Sequence, residues 1–153
     1  MIIRTLFSVA LIVLCQTANP AWARTIGETN ILNEGAFKRL KANKGVKLQW
    51  LWEAKPGTLT VAETPDGVTL KGGQGPHQGD ELTIDGVVLN LDARNFTFRG
   101  KIVIVDNETA SPCVRDGVYT FRITGSRKFW RMKEQIAGCE GRADLTDYVD
   151  ILF

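Results

Sequence analysis

The stretch RDGVYTFRITGSRKFWRMKE, residues 115–134, decides the fold. Apolar and polar side chains alternate on both sides of Gly125 and Ser126, a pattern typical of an antiparallel hairpin with one buried and one wet face. A two-residue turn at these positions places Phe121 opposite Trp130. The predicted buried face consists of Tyr119, Phe121, Ile123, Trp130 and Met132.

The rest of the chain repeats this alternation after one short helix. Asn33 is a suitable N-cap for a helix within residues 33–45, and Gly45 is a suitable end. Further along, Asp85 and Gly86 predict a two-residue hairpin turn between two short strands. About nine strands can be counted after the helix, nearly all joined to their sequence neighbours by short turns.

These segments predict an all-β protein. The apolar positions of successive strands stay in phase, as an antiparallel meander requires. A meander of this length buries its apolar face by closing or by folding over. We therefore expect an up-and-down β-barrel of about eight strands, with the short N-terminal helix covering one end. A two-sheet β-sandwich is the alternative.

The N-terminus predicts export. Arg4 is followed by the uncharged segment TLFSVALIVLC, residues 5–15, and by the small residues Ala21 and Ala23, as in a secretory signal peptide. The apolar segment is shorter than the roughly 20 residues needed to span a bilayer. We expect residues 1–23 to be removed and residues 24–153 to form a single domain, periplasmic or secreted, in a bacterium.

The cysteines agree with export. Cys15 belongs to the predicted signal peptide, which leaves Cys113 and Cys139, and a pair in an oxidising compartment predicts a disulfide. Counting strand directions puts the loops 106–115 and 135–146, which hold the two cysteines, at one end of the sheet. The loop that contains His77 is expected at the opposite end.

The charge of the chain argues against nucleic acid as a partner. The formal net charge is +2, with 19 basic and 17 acidic residues, and the signal peptide would remove one basic residue. Domains that bind nucleic acid are usually strongly basic. No later segment predicts a membrane-spanning helix.

The residue types of an active site are not found together. His77 is the single histidine, and no serine or cysteine nucleophile accompanies it in KGGQGPHQGDE, residues 71–81, a composition typical of a mobile loop. These glycines also lack the lysine of a phosphate-binding loop. A glycosidase-type carboxylate pair rests on composition alone. We predict no enzymatic activity, no metal site and no cofactor.

The polar face of the hairpin predicts a contact surface. Arg122, Arg131 and Lys133 share this face with Phe129, and Arg99 and Lys101 extend it if the strands pair in sequence order. Such a basic face suits an anionic glycan, lipopolysaccharide or an acidic protein. The alternative is an ordinary wet wall, in which Lys and Arg stems cover apolar surface.

The apolar face supports a second hypothesis, a small hydrophobic ligand inside the barrel. An eight-stranded barrel is just wide enough to be filled by its own side chains or to hold one small ligand. The architecture is similar to that of lipocalins, although the G-x-W signature of their first strand is missing. Inhibition of an extracytoplasmic enzyme is a further alternative. The predicted interior residues are Trp50, Trp52, Phe96, Phe98, Tyr119, Phe121 and Trp130.

Overall fold

The computed structural model describes residues 23–109, 111–134 and 146–153. The predicted signal peptide, apart from Ala23, and the predicted disulfide partner Cys139 lie outside these described residues. The elements are β1 (Arg24–Ile26), β2 (Thr29–Ile31), α1 (Glu34–Lys41), β3 (Val46–Leu48), β4 (Thr58–Thr64), β5 (Gly67–His77), β6 (Asp80–Leu91), β7 (Asn95–Val105), β8 (Cys113–Arg122), β9 (Phe129–Met132) and β10 (Val149–Leu152).

The all-β class is confirmed, and the ten described strands belong to one sheet. β4 to β10 pair in sequence order as an antiparallel meander, and β3 pairs with the outer edge of β10. Two features were not predicted: the β1–β2 hairpin, and the parallel pairing of β2 with β6. Within the described residues no strand ladder joins β3 to β4, so closure into a barrel stays a prediction.

Helix α1 begins at the predicted cap. The side chain of Asn33 accepts a hydrogen bond from the backbone N–H of Ala36 at 2.8 Å, which satisfies a donor that the first turn leaves unpaired. Phe37 and Leu40 lie one turn apart on the buried face. The helix ends at Lys41, before the predicted end, and its last turn is basic.

The predicted turn at Asp85 and Gly86 is wrong, because both residues lie in the middle of the twelve-residue strand β6. Gly86 pairs with Gly100 of β7. A Cβ atom on Gly86 would lie 2.7 Å from the ring of Phe98, so this ring fills the space where side chains are missing. Glycine is found at position 86 because β6, β7 and the ring of Phe98 approach one another closely.

The continuous β6 also overturns the predicted position of His77. The chain turns at Gln78 and Gly79 instead, which puts His77 at the same end of the sheet as the loop after β7. Asn107 of that loop donates its backbone N–H to Asp80 and its side-chain amide to the carbonyl of Gln78, both at 2.8 Å. The segment predicted to be a mobile loop is largely strand β5.

The hairpin of residues 115–134 forms with a different register. Phe121 faces Met132, and not Trp130, because the connection between β8 and β9 spans residues 123–128 and not two residues. A shift by two residues keeps every side chain on the same face. Tyr119 and Trp130 therefore still point into the core, as predicted.

The aromatic side chains of the core contact one another. Phe96 stacks on Phe121 with ring centroids 4.7 Å apart, and the edge of Trp130 meets Phe96 at 5.8 Å. Phe98 meets Phe121 edge-on at 6.3 Å. Five of the seven predicted interior residues are buried, namely Phe96, Phe98, Tyr119, Phe121 and Trp130.

The predicted interior position is wrong for Trp52 and is confirmed only in part for Trp50. Strand β3 ends at Leu48, and the backbone N–H of Leu51 turns back to the carbonyl of Leu48 at 3.1 Å. The alternation is thereby lost, so Leu51 takes the interior position. Trp52 is 69% exposed, and Trp50 is half-buried with its indole N–H donated to Asp147 at 3.0 Å.

The side chain of Gln74 joins β3 to β5 where no strand ladder does. Its Oε1 accepts the backbone N–H of Leu48 at 2.7 Å. Its Nε2 donates to the carbonyls of Leu51, Ala54 and Lys55 at 3.1–3.3 Å. Gln74 is 1% exposed, so these backbone groups have a partner where water is excluded.

Glycine residues allow the backbones of the segments at Val46 and Gly57 to approach closely beside Gln74. Val46 and Gly57 exchange backbone hydrogen bonds of 3.3 and 2.9 Å. Gly45 has a positive φ of 102°, and a Cβ atom there would lie 1.8 Å from the carbonyl oxygen of Gly57. We call this contact region, made by Gly45, Val46, Gly57 and Gln74, the seam.

We expect Gln74→Met to lower the free energy of unfolding by about 2–4 kcal/mol, because it leaves buried backbone groups of the seam without partners. Urea denaturation measures this change. The matched control is Gln49→Met, in an exposed side chain, with an expected change within about 0.5 kcal/mol. Equal losses in the two variants would contradict the role given to the seam.

Candidate functional site

The predicted basic face is largely neutralised along the wall of the sheet. Arg99 contacts Glu28 at 2.5 Å, and Lys101 lies 4.0 Å from Asp116. A carboxylate near each cation weakens the field that an anionic partner would meet. These two residues also lie away from the other cations of the predicted face, toward the middle of β7.

The remaining residues of the predicted face do come together. Arg122, Arg131 and Lys133 line one small hollow of about 170 Å³. Arg131 donates to both oxygens of Asp150 at 2.7 and 2.6 Å, and its guanidinium lies over the ring of Phe129. Sequence reasoning did not foresee the Asp150 partner, because β10 pairs with β9 from a distant part of the chain.

The pKa values of both partners are raised, but for different reasons. The hydrogen bond to Asp150 raises the pKa of Arg131. Burial raises the pKa of Asp150, and the neighbouring Arg131 opposes that rise. Arg131 is therefore held as a structural cation. The net charge of the hollow is carried by Arg122, which donates to the amide oxygen of Asn95 at 2.7 Å, by Arg127 and by the exposed Lys133.

A larger groove lies next to this hollow, at the end of the sheet where β8 leads into β9. Its volume is about 870 Å³. We call it the basic groove. It is lined by Arg39, Lys44, Ala93, Arg94, Ile123, Gly125, Ser126, Arg127, Lys128 and Phe153. Five of these ten residues are cations and none is an acid.

Two connections build one wall of the basic groove. Arg94, between β6 and β7, donates its Nη2 to the carbonyls of Ile123 and Gly125 at 3.0 and 2.8 Å. The backbone N–H of Ile123 returns a bond to the carbonyl of Arg94 at 2.9 Å. Asp92 shapes the shorter connection by accepting the backbone N–H groups of Arg94 and Asn95, both at 2.7 Å. The guanidinium of Arg94 thus holds the loop 123–128 in place.

The opposite wall comes from the segment after α1 and from the end of β10. The backbone N–H of Lys44 donates to the carbonyl of Leu152 at 2.8 Å, and Leu152 donates to Gly45 at 2.9 Å. The next residue, Phe153, donates its N–H to the carbonyl of Lys128 at 3.1 Å. Backbone hydrogen bonds therefore link both walls of the groove.

An aromatic pair supports the guanidinium of Arg39. Phe153 packs on the buried Trp130 with ring centroids 4.5 Å apart. The guanidinium carbon of Arg39 lies 5.0 Å from the Phe153 ring centroid and 5.9 Å from that of Trp130. A stacked guanidinium is attracted by the ring and keeps its N–H donors in its own plane, free for an oxyanion.

The cations of the basic groove differ from Arg99 and Lys101 on the strand face, because no described carboxylate pairs with them. Within residues 23–109, 111–134 and 146–153, none of the five lies within 4.0 Å of an acidic oxygen. The opposite end of the sheet carries the carboxylates Glu53, Asp80, Glu81, Asp106 and Glu108. Within the described residues, these carboxylates thus gather at the end opposite the basic groove, which we call the acidic end.

The other predicted positions lie away from the groove. His77 is at the acidic end, 3.9 Å from Glu53. Cys113 is half-buried and forms no disulfide with another described residue, and its predicted partner Cys139 lies outside the described residues. In the described part of the chain, no group of three or more His, Cys, Asp or Glu side chains could hold a metal, and no helix is long and apolar enough to cross a membrane.

Sequence reasoning missed the residues that make the groove continuous. Arg127 and Lys128 belong to the segment singled out at the start, but Arg39, Lys44 and Arg94 come from two other parts of the chain. The available signal was weak: basic residues follow the apolar positions of the helix, and Arg94 lies in the connection DARN.

We expect Asp92→Asn to destabilise the protein at neutral pH more than in acid. Although burial acts to raise the pKa of Asp92, the N–H groups of Arg94 and Asn95 lower it below its ordinary value. A carboxyl group with a lowered folded-state pKa stabilises the fold above its unfolded pKa, and this contribution is lost as pH falls through the folded pKa. Thermal unfolding at pH 7 and about pH 3 should show the difference between parent and variant shrinking.

The control for this experiment is Asp116→Asn, because Asp116 is exposed and contributes only a distant surface pair. Its effect on unfolding should be small at both pH values. A difference between the parent and Asp92→Asn that stays constant with pH would contradict the role of the Asp92 carboxylate.

Comparison with known proteins gives a family. Uncharacterized protein PM1083 of Pasteurella multocida (strain Pm70) is 32% identical to this chain over 108 residues, which cover 69% of this chain and 68% of that protein. No solved structure matches the chain. The model of the PM1083 family matches residues 28–153, which include the helix, the seam and every residue of the basic groove. The chain therefore belongs to the PM1083 family.

Proposed function

We propose that this chain is an exported, non-enzymatic binding protein that holds an anionic ligand in the basic groove. The observation that carries the proposal is the set of five cations that line one groove without a carboxylate partner in the described residues. The contact surface that we propose is therefore formed by the loops at one end of the sheet, whereas the sequence predicted the strand face.

Unpaired cations in one groove attract anions more than scattered surface cations do. Each exposed charge is screened over about 8–10 Å at physiological salt, so only cations that lie close together act jointly on one ligand. Clefts lined by one sign of charge focus the field and raise the local concentration of the opposite ion. An anionic glycan or lipopolysaccharide is a ligand of this kind in the compartment that the signal peptide predicts.

We further propose that the sheet closes into a small barrel at the seam. The support is the pair of backbone bonds between Val46 and Gly57 and the amide of Gln74, which span the gap between β3 and β4. The rings of Phe96 and Phe121 stack on the sheet's buried face, near the end of β7 and β8 that is next to the basic groove. A core filled in this way favours a ligand on the surface over a hydrophobic ligand carried inside.

The chemistry of the groove suits binding rather than catalysis. Guanidinium groups stay protonated at any physiological pH and do not transfer protons. Ser126, the one hydroxyl residue of the lining, has no histidine or carboxylate among the other lining residues that could activate it. His77, the only histidine, lies at the acidic end. We propose that a disulfide between Cys113 and Cys139 closes a loop at that end too.

We expect the double variant Arg127→Glu, Lys128→Glu to lose retention on a heparin column at low salt, because it reverses two cations of the groove that take no part in described ion pairs. The elution salt of parent and variant measures the effect. Attraction between exposed charges falls with ionic strength, so the parent should elute with added sodium chloride.

The charge-matched control is the double variant Lys55→Glu, Lys101→Glu. Lys55 and Lys101 are exposed and lie outside the basic groove. The control changes net charge by the same amount, and we expect it to stay on the column to nearly the parental salt concentration. Equal loss of retention in both variants would show a non-specific charge effect and would contradict the groove.

A further inference from the structure

We infer that the ligand of the basic groove is an organic phosphomonoester, such as a phosphorylated sugar or a phosphate-bearing headgroup. This inference rests on the proposed anion-binding function and adds the chemical class of the ligand. It is drawn from the size of the groove, the way its guanidinium groups are held and the apolar surface beside them.

The size of the groove leaves room for more than a bare inorganic anion. Pockets for organic ligands commonly measure about 300–1,000 Å³. At about 870 Å³, the basic groove lies within this range. A single phosphate or sulfate ion would reach only some of the five cations and would leave most of the groove to water. The ligand therefore carries an organic part in addition to its charge.

Two of the three arginines of the groove, Arg39 and Arg94, are held by other groups of the chain before any ligand binds. Arg94 uses Nη2 to hold the carbonyls of Ile123 and Gly125, and no described residue accepts a hydrogen bond from its Nη1 or Nε. Arg39 is stacked on Phe153. Planar groups held in this way lose little freedom when they grip two oxygens of one anion, whereas a mobile lysine offers only a point charge.

Charge and shape together select a phosphomonoester. With its second pKa near about 6, a phosphomonoester carries close to two negative charges at neutral pH and presents three oxygens. A carboxylate or a sulfate ester carries one charge. Because the groove gathers five cations, the dianion compensates more of them at one site. The half-buried Phe153 leaves some apolar surface next to the cations, where the carbon framework of the ligand can pack.

The test compares two ligands that share one sugar. Isothermal titration of the full chain with glucose 6-phosphate and with glucose 6-sulfate, at low salt and pH 7.5, measures the effect of the second charge alone. We expect glucose 6-phosphate to bind at least tenfold more tightly than the sulfate, and more tightly than inorganic phosphate. Equal affinity for the phosphate and the sulfate overturns the inference.

Charge-conserving variants test the guanidinium groups. Arg39→Lys keeps the charge and removes the planar fork, so we expect at least tenfold weaker binding of glucose 6-phosphate. Arg94→Lys gives a second measurement if the first variant fails to fold by near-ultraviolet circular dichroism. Arg99→Lys, on the wall, is the matched control and should bind as the parent does. Parental affinity in both groove variants overturns the inference.

Vesicles distinguish the source of the phosphate. Phosphatidylcholine vesicles with 20% phosphatidic acid present a phosphomonoester, and those with 20% phosphatidylglycerol present a phosphodiester. Sedimentation with the first only, reversed by glucose 6-phosphate, indicates a lipid headgroup. Binding of glucose 6-phosphate without sedimentation indicates a soluble or glycan phosphate. Either result supports the inference, and equal sedimentation with both vesicles contradicts it.

The inference and the proposed function can fail separately. Retention on heparin without preference for glucose 6-phosphate overturns the phosphomonoester and leaves the anion-binding groove intact. A chain that is neither retained on heparin nor able to bind glucose 6-phosphate overturns both.

Discussion

The structure depends on one buried amide. The long strands β5 to β8 pair with their neighbours along their whole length, but β3 is only three residues long and has no ladder to β4 in the described sheet. The side chain of Gln74 supplies what the ladder would have supplied: an acceptor for Leu48 and donors for three carbonyls of the chain that follows. Because an unpaired buried backbone group costs about 1–3 kcal/mol, one side chain decides whether this edge can be buried at all.

The seam also determines where the basic groove can form. Gln74 holds β3, and β3 pairs with β10. The residue that follows β10 is Phe153, on which Arg39 stacks. Lys44 is tied to the same strand through the carbonyl of Leu152. One wall of the groove therefore continues from β3 and β10, the part of the sheet that the seam holds. The other wall continues from the connections of the regular β6–β7–β8 meander. The two walls of the groove come together only if the seam holds strand β3 in place.

The sequence predicted the features that depend on the local hydrophobic periodicity and on helix capping. Alternation at period two gave the buried face of the central hairpin, which survived an error of two residues in register, and Asn33 marked the helix start. What depends on distant neighbours was not predictable. Asp85-Gly86 has the composition of a turn, yet Gly86 is required by the ring of Phe98. Likewise, the Asp150 partner of a predicted contact residue lies on a strand nineteen positions further along the chain.

The claim that the basic groove is the binding surface can be tested most directly by nuclear magnetic resonance. Titration of ¹⁵N-labelled protein with a heparin tetrasaccharide would show which backbone amides sense the anion. The account predicts that the largest shift changes cluster in residues 92–95 and 123–128 and near Lys44, at the end of the sheet that carries the basic groove. Changes centred on Arg99 and Lys101, along the wall, would contradict it.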